Sequence, residues 1–509
     1  MPAFAFDNTY ARELTGLYVP WQPASVPAPQ LLFLNRPLAE ELNLPLSVLE
    51  GTDGAALLAG NQVPEGAQPV AQAYAGHQFG GFSPQLGDGR ALLLGEVIDR
   101  QGRRRDIAYK GSGRTPFARG GDGKAAIGPM LREAILGEAM HALGIPTTRA
   151  LAVAATGEPV YREHPLPGAV LTRVAASHLR VGTFQYAAHR GDIEQLRRLA
   201  DYTLARHDPG LVGQPDRYLG LLNAVCERQA RLVAQWMNVG FIHGVMNTDN
   251  MALSGETIDY GPCAFMEAFD PRAVFSSIDQ QGRYAYANQP PIAQWNLARL
   301  AEALLPLIAP SEAEADVKQA IDQVTGILSR FADQFERALR EGQRAKLGLA
   351  HAQEADNEAD DALVADWLAE LHRQQVDFTL AWRRLADAAA GQEAPLLALF
   401  SEPQALQPWL TRWRSRCEAD DASSTRGASP PTWTADRAER LRRANPFVIP
   451  RNHLVEEALE AATERDDIGP FERLLEAVRH PFDEAPERAR YGEPAPAAVT
   501  ACYRTFCGT

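Results

Sequence analysis

Two side chains with oxygen donors, Asn250 and Asp259, stand nine residues apart in a segment that starts at His243 and ends at Gly261. Mg²⁺ prefers oxygen ligands and usually takes one or two protein carboxylates or amides together with phosphate oxygens. Taken singly, each residue is more simply explained as part of a polar turn or as a strand cap. The order His, Asn, Asp, Gly within one segment favours a site for a metal ion and a phosphate ester.

The same segment resembles a damaged phosphoryl-transfer motif. Protein kinases carry H-R-D-x-x-x-x-N followed by D-F-G, in which the first Asp is the catalytic base. His243 and Asn250 keep the spacing, and Asp259-Tyr260-Gly261 stands in place of D-F-G, but the position of the base is Val245. The pattern predicts a nucleotide site that either performs different chemistry or performs none.

Upstream residues follow the order of a kinase nucleotide site. A turn with Gly87, Gly89 and Arg90 precedes an apolar run, as in loops whose backbone N–H groups approach phosphates. Lys110 ends the next predicted strand, and Glu133 lies on a mainly small or apolar helix face where a carboxylate needs a partner. A tight hairpin and two unrelated surface charges are the simpler alternatives, and the shared order weakens them.

Two further groups of residues could bind anions. The loop 111–124 is too rich in glycine for an ordinary connector and carries Arg114, Arg119 and Lys124. Arg173 and Arg180 flank a short polar stretch, and arginine binds phosphate in a bidentate manner. From the residues alone, a solvated loop and ordinary surface arginines are the better explanations of the two groups.

Composition limits the class of protein. A net charge of −14 over 509 residues argues against binding to a nucleic acid backbone, which needs a basic surface. The sequence has no apolar run long enough to span a membrane and no signal-peptide pattern. Five cysteines without zinc or redox spacing do not form a disulfide framework. We expect a cytoplasmic monomer that contacts neither nucleic acid nor membrane.

The elements that position these residues change in type along the chain. Residues 1–70 are rich in proline and loop-like, with a short helix predicted near 37–44. Short strands are predicted at 91–97, 107–110, 150–154 and 169–174, with a helix at 129–143 between them. Helices are predicted at 191–206, 216–239, 292–308, 312–341 and 360–388, and again at 434–444 and 452–463, with a flexible loop at 420–431. This order predicts an α+β protein with two lobes.

Four blocks of sequence resemble the selenoprotein O family. They are Tyr74–Arg90, Lys110–Phe117, Gly144–Arg149 and His243–Met251. The likeness covers residues 70–275 and returns at Asn445–Asn452. The resemblance implies a bilobal, protein-kinase-like fold with a helical C-terminal extension. The implied domains are an N-terminal extension (1–70), an N-lobe (71–175), a C-lobe (176–388) and the C-terminal extension (389–509).

The resemblance also implies an activity. Members of this family bind ATP in a reversed orientation and, with Mg²⁺ or Mn²⁺, transfer AMP to Ser, Thr or Tyr hydroxyls of proteins. The resemblance implies that Gly87, Gly89 and Arg90 line the nucleotide loop and that Asp122 and Gly123 lie at the end of the nucleotide that carries the base. It implies phosphate binding by Lys110, paired with Glu133, and by Arg173 and Arg180. Asn250 and Asp259 would bind the metal ion, and Asp249 would accept the proton.

The C-terminal cysteines carry a further expectation from the family. Some members have selenocysteine near the C-terminus, and Cys507 occupies that region here. Related bacterial proteins look redox-regulated through a disulfide between the tail and the activation segment. The resemblance therefore implies a pair between Cys263 and Cys507, with Cys502 as the alternative to Cys507. Without it, these are unconnected thiols.

The residues and the resemblance leave three candidate functions. The first is a metal-dependent protein adenylyltransferase. The second is an ordinary phosphotransferase, against which Val245 argues. The third is a non-catalytic pseudokinase that binds a nucleotide and acts as a scaffold or a redox sensor.

Overall fold

The computed structural model describes residues 4–423 and 431–506. Within these ranges the strands are β1 (Tyr18–Pro20), β2 (Gln30–Leu34), β3 (Val70–Gln72), β4 (Gly76–Gln78), β5 (Gly81–Ser83), β6 (Ala91–Ile98), β7 (Arg104–Lys110), β8 (Ala125–Ala126), β9 (Arg149–Tyr161), β10 (Pro165–Ala175), β11 (Phe241–Ile242) and β12 (Ala264–Phe265). The predicted strands at 91–97, 107–110, 150–154 and 169–174 lie inside β6, β7, β9 and β10.

The main sheet is antiparallel and has the order β1-β3-β6-β7-β10-β9-β2, with β8 paired to β10. In its centre, Lys110 lies opposite Leu171 and Ala108 opposite Arg173. Because side chains alternate between the two faces of a strand, Lys110 and Arg173 are diagonal neighbours on one face. The register of β7 and β10 therefore places these two cations next to each other.

The N-terminal residues are not loop-like, and that expectation is wrong. β1 and β2 form the two edges of the sheet, and four helices accompany them: α1 (Thr9–Glu13), α2 (Arg36–Glu41), α3 (Leu46–Leu49) and α4 (Gly51–Leu58). The prolines between these elements obscure strands that are only three and five residues long. Buried contacts of Leu38, Leu58 and Tyr109 join this region to the sheet.

The helix that carries Glu133 is α5 (Ile127–Ala142), which begins two residues before Pro129. It packs on β9 and β10 and, on its other side, against the C-terminal helices α17 (Asn452–Glu464) and α18 (Gly469–Val478). Residues such as Leu131, Val455 and Phe471 share one apolar core. The C-terminal region thus supports the helix that positions Glu133.

The remainder of the described chain is mostly helical. Its helices are α6 (Val181–His189), α7 (Ile193–His207), α8 (Arg217–Val239), α9 (Gln289–Ile308), α10 (Glu314–Ser329), α11 (Phe331–Leu347), α12 (Asn357–Gln374), α13 (Phe378–Ala389), α14 (Ala394–Leu397), α15 (Gln407–Ala422), α16 (Pro431–Ala444), α19 (Ala489–Gly492) and α20 (Ala497–Cys502). Short 3₁₀ helices lie at Pro209–Leu211, Thr248–Asn250, Tyr286–Asn288, Glu354–Asp356, Pro403–Leu406 and Pro486–Arg488.

Two long predicted helices are each divided. The 312–341 prediction becomes α10 and α11, which meet at Arg330. The 360–388 prediction becomes α12 and α13, because Gln375 takes a left-handed φ of 53° and the Asp377 carboxylate then caps α13 by accepting from the Leu380 N–H at 2.7 Å. The predicted loop at 420–431 is helical up to Ala422, and residues 424–430 lie outside the described ranges.

The structure confirms a mixed α and β protein with an antiparallel sheet and a helical C-terminal region. The kinase-like arrangement and the four domain boundaries stay predictions. Within the described residues, every helix is too short or too polar for a transmembrane span.

Candidate active site

One cleft of about 1650 Å³ collects the predicted nucleotide and metal residues. Its lining includes Gly87, Gly89, Arg90, Lys110, Asp122, Gly123, Glu133, Arg173, Arg180, Asp249, Asn250 and Asp259. These residues come from the sheet, from α5 and from the loops after β11, and the fold brings all of them to one place. Val245 also lines the cleft, so no carboxylate occupies the position of a kinase base.

Asp259 is the centre of a charged cluster. Its Oδ1 lies 2.9 Å from Lys110 Nζ and 2.7 Å from Arg173 Nη1, and its Oδ2 lies 3.1 Å from Arg180 Nη1. Lys110 Nζ also contacts the buried Glu133 carboxylate. We call these five residues the charged wall. Its three cations and two carboxylates leave a net positive charge on one side of the cleft, which suits a polyphosphate.

The conformation and ionisation of Asp259 are both unusual. Its φ of 66° lies in the left-handed region, which is costly for a residue with a Cβ and is typical of functional sites. Burial alone would raise the pKa of Asp259, but the neighbouring Lys110 and the two arginines outweigh burial and hold the pKa well below its usual value. Asp259 is therefore an anion that is available to a divalent cation.

A buried relay supports Arg173 from behind. Arg173 Nε donates to His178 Nε2 at 3.2 Å, and His178 Nδ1 lies 3.0 Å from the Asp106 carboxylate, which also accepts from Arg206 at 2.6 Å. Burial is the main cause that lowers the pKa of His178 to about 4, and this keeps the ring neutral. A neutral ring can accept from Arg173 and donate to Asp106 at once.

Arg180 has partners that sequence reasoning missed. Its guanidinium lies 4.7 Å from the centre of the Tyr74 ring and within 4.0 Å of Asp88. Burial raises the pKa of Asp88 to about 6, although Arg180 opposes that shift. Asp88 lies between Gly87 and Gly89, inside a turn that was recognised only for its glycines and for Arg90. The sequence showed only that an acidic residue stands between two glycines in this turn.

Asp249 lies in the 3₁₀ helix Thr248–Asn250 and is buried. Its Oδ2 accepts weakly from Gln78 Nε2 at 3.4 Å, and its Oδ1 has no hydrogen-bond partner. A Cβ at Gly76 would come within 2.4 Å of that Oδ1, so the strand can approach the carboxylate only because residue 76 is glycine. Burial raises the pKa of Asp249 to about 6. An unpaired, buried carboxylate oxygen at the cleft is suited to accept a proton.

The residues around Asp259 fit a divalent metal ion. Asn250 Nδ2 donates to Asp259 Oδ2 at 3.3 Å, so the two side chains are adjacent, and a cation between them would be held by the Asn250 amide oxygen, after the amide rotates, and by the Asp259 carboxylate. Among the described residues, no group of three or more His, Cys, Asp or Glu side chains forms a metal site. An oxygen-only pair of this kind suits Mg²⁺ or Mn²⁺, which complete their coordination with phosphate oxygens and water. Bound there, the cation would neutralise phosphate charge.

The far end of the cleft is closed by a polar loop. Asp122 accepts from Arg162 Nη1 at 2.8 Å and from the Lys124 N–H at 2.9 Å. A Cβ at Gly123 would approach the Gly113 carbonyl oxygen to 2.2 Å, so only glycine fits there. At the nearer end, a Cβ at Gly87 would meet the Phe117 ring at 2.5 Å. The glycine-rich loop is thus tightly packed at both points and is not merely a solvated connector.

Two of the three cysteines considered for a disulfide lie within the described residues. Cys263 is a free, buried thiol outside the cleft lining, and burial raises its pKa to about 12. Cys502 is free, exposed and lines the cleft. Cys507 lies outside the described residues. The tail before it is held against the loop after Asp259, because Thr505 Oγ1 donates to the Pro262 carbonyl oxygen at 2.6 Å.

The cleft therefore combines a cation-rich wall, an oxygen-donor pair for a metal ion and an unpaired carboxylate. A sequence model of the family described as "Protein adenylyltransferase SelO" matches residues 3–479. Proteins named "Protein nucleotidyltransferase YdiU" are similar over their whole length. The one from Chromobacterium violaceum is 61% identical over 97% of this chain and 99% of its own, and the one from Cereibacter sphaeroides strain KD131 is 58% identical over 99% and 100%.

A third relative of the same name, from Rhizobium meliloti strain 1021, is 55% identical over the full length of both chains. These matches make the chain a nucleotidyltransferase. It belongs to the family of the protein adenylyltransferase SelO, which confirms the resemblance to selenoprotein O. The family implies ATP as a substrate and proteins as acceptors. The roles of the individual site residues stay predictions.

Proposed function

We propose that this protein transfers AMP from ATP to Ser, Thr or Tyr hydroxyls of other proteins, with ATP bound in a reversed orientation. The acceptor oxygen attacks the α-phosphorus and forms a new O–P bond. The bond from that phosphorus to the oxygen bridging the α- and β-phosphates breaks, and pyrophosphate leaves. The hydroxyl proton passes to Asp249, and Asn250 with Asp259 holds Mg²⁺ or Mn²⁺.

The observation that carries this proposal is the position of Asp249. Its buried carboxylate lines the cleft and has one oxygen, Oδ1, without a hydrogen-bond partner, whereas Val245 occupies the place of a kinase base. In the reversed pose the β- and γ-phosphates would contact Lys110, Arg173 and Arg180, which would stabilise the charge of the leaving pyrophosphate. Catalysis by positioning and by charge suits a site whose cations are already fixed by a buried network.

Labelled nucleotides test this function directly. ATP labelled at the α-phosphate should place its label on an acceptor protein, and ATP labelled at the γ-phosphate should not. Label from the γ-phosphate on protein would support an ordinary phosphotransferase. A complete lack of transfer with Mg²⁺ or Mn²⁺, under both reducing and oxidising conditions, would refute the proposal. The membership in an enzyme family disfavours the non-catalytic scaffold.

Redox control through Cys263 and Cys507 is the second part of the proposal. It is supported by the contact of Thr505 with Pro262, the residue before Cys263. Since burial raises the pKa of Cys263, the tail thiol would react first with a two-electron oxidant such as a peroxide and become a sulfenic acid, and the Cys263 thiol would then displace water from that sulfur to form the disulfide. Mass spectrometry without reduction should find the linked peptides in oxidised protein. Only free thiols in that sample would refute this part.

A further inference from the structure

The outer edge of the cleft, beyond Asp249, is formed by exposed apolar side chains. Phe79 and Ile278 are 41% and 47% exposed, and both line the cleft. Arg283 and Trp295 lie beside them, with the guanidinium 5.1 Å from the centre of the indole ring. We call these four residues the acceptor rim. No role in holding nucleotide or metal requires them.

The rim is fixed to the catalytic loop through a short hairpin formed by β4 and β5. The Phe79 N–H donates to Asn247 Oδ1 at 3.1 Å, and Gln78 contacts Asp249. Gly80, at the tip of the same turn, lies against the Arg283 guanidinium. A protein segment that brings a hydroxyl to Asp249 from this side of the cleft would contact Phe79 and approach Arg283.

Phe79 occupies an unfavourable backbone conformation in an exposed position. Its φ of 52° and the φ of 88° at Gly80 form a tight turn in which the first residue is normally Asn, Asp or Gly. A bulky residue is strained there, because its Cβ crowds the backbone. The ring is too exposed to recover this through burial, and its neighbour Tyr284 lies 5.2 Å away. Such a residue is explained by a contact made outside the free chain.

Arg283 is the cation of the acceptor rim. It lies between the rings of Tyr284 and Trp295, and none of the described carboxylates forms an ion pair with it. Its backbone is rigid, because the Asp279 carboxylate accepts from the N–H groups of Arg283 and Tyr284 at 2.9 and 2.8 Å. A fixed guanidinium without an acidic partner at the edge of a cleft is suited to bind a carboxylate from a partner.

We infer that the acceptor rim selects protein segments in which the modified hydroxyl has a large apolar neighbour and an acidic residue close by. The apolar side chain contacts Phe79 and Ile278, and the carboxylate binds Arg283. This inference depends on the proposed AMP transfer, because it describes the acceptor of that reaction.

Charge exchange tests the inference. The probes are synthetic peptides with one central Tyr, Ser or Thr, a neighbouring Phe, and Glu or Lys placed two to four residues away. Both AMP incorporation and the binding of the fluorescently labelled peptides are measured, the latter in the presence of a non-hydrolysable ATP analogue. Wild-type protein should favour Glu peptides over Lys peptides by about 10-fold in kcat/KM. Arg283→Glu should invert this preference, which a misfolded variant could not do.

Matched variants separate the rim from general surface effects. Ile278→Ser should lower kcat/KM for Phe-containing peptides about 10-fold, and Val212→Ser, which alters an exposed residue that does not line the cleft, should not. Arg272→Glu, at an 86% exposed side chain, should leave the charge preference unchanged. The same preference in wild type and Arg283→Glu, with AMP still transferred, would overturn the inference and leave the proposed function intact. Absence of AMP transfer to any protein or peptide by wild type would overturn both.

Discussion

The charged wall lines the cleft, and the acceptor rim lies at its edge, where Phe79 and Ile278 reach the lining, but the two differ in how their charges are satisfied. In the wall, every cation contacts a carboxylate, and Asp259 alone contacts three of them. In the rim, Arg283 lies against the rings of Tyr284 and Trp295 without an ion pair to any described carboxylate, and Phe79 and Ile278 are exposed. The charges of the wall are paired within the chain, whereas the rim leaves apolar side chains and a guanidinium for a protein partner to contact. The difference suits a nucleotide that is always the same and acceptors that vary.

The largest expected effect comes from the centre of the wall. Asp259→Asn should lower the rate of AMP transfer by about 10³-fold or more, because it removes a charged metal ligand and the one carboxylate that contacts all three cations of the wall. The measurement is label transfer from α-labelled ATP at saturating ATP and metal. Asp322→Asn, at a 66% exposed side chain, is the control. Activity of Asp259→Asn close to that of wild type would remove Asp259 from the site.

The next effect concerns acid stability. His178 has a pKa of about 4 in the folded protein against 6.5 when exposed, so the unfolded chain binds its proton first as the pH falls. The stability that this group contributes is complete above pH 6.5 and is lost between pH 6.5 and 4, to a total of about 3 kcal/mol. His178→Gln should therefore show a weaker decline in that window.

Urea unfolding of wild type and His178→Gln at several pH values measures this decline. Gln can accept from Arg173 and donate to Asp106 but does not titrate, so the two proteins should differ most near pH 4. His480→Gln, at a 46% exposed side chain, is the matched control. Equal slopes for wild type and His178→Gln would mean that the relay behind the wall does not hold a neutral histidine.

The same relay should affect ATP more than acceptors. His178→Ala leaves Arg173 Nε without its acceptor, which costs about 1–3 kcal/mol, or roughly 10- to 100-fold in the KM for ATP. The KM for the acceptor should not change, and His178→Gln should restore most of the loss. A change in the KM for the acceptor alone would contradict the assignment of ATP binding to the wall and acceptor binding to the rim.

The smallest effect separates strain from stability at the rim. Phe79→Gly removes an unfavourable left-handed residue and also a ring contact, so the free energy of unfolding should change by less than about 1 kcal/mol. The KM for apolar acceptors should nevertheless rise several-fold, with that for ATP unchanged. Thermal unfolding and steady-state kinetics check the two parts. A clear loss of stability would assign Phe79 a structural role.

The two regions also differ in what the sequence could predict. Lys110, Glu133, Asn250 and Asp259 fall in ordered motifs, so their types and spacing were enough to place them in one site. The rim residues Phe79, Ile278, Arg283 and Trp295 are far apart in the chain, and an exposed Phe or Ile there belongs to no motif. Only the register of the hairpin over the catalytic loop brings them together.

The fold shows a similar limit. The central strands β6, β7 and β10 were predictable because each contains a short apolar run, at 91–94, 107–109 and 169–171. The edge strands β1 and β2 were not, because five residues or fewer among prolines carry no periodicity and are ordered by tertiary pairing. Asp88 was missed for a related reason, since the glycines around it indicated a turn and its burial depends on contacts with distant residues.

The orientation of the bound nucleotide is the central claim. A crystal structure with a non-hydrolysable ATP analogue and Mn²⁺ measures it directly. The α-phosphate should lie beside Asn250 and Asp259 with Asp249 facing the open side of the phosphorus, and the β- and γ-phosphates should contact Lys110, Arg173 and Arg180. A γ-phosphate beside Asn250 and Asp259 would contradict the account.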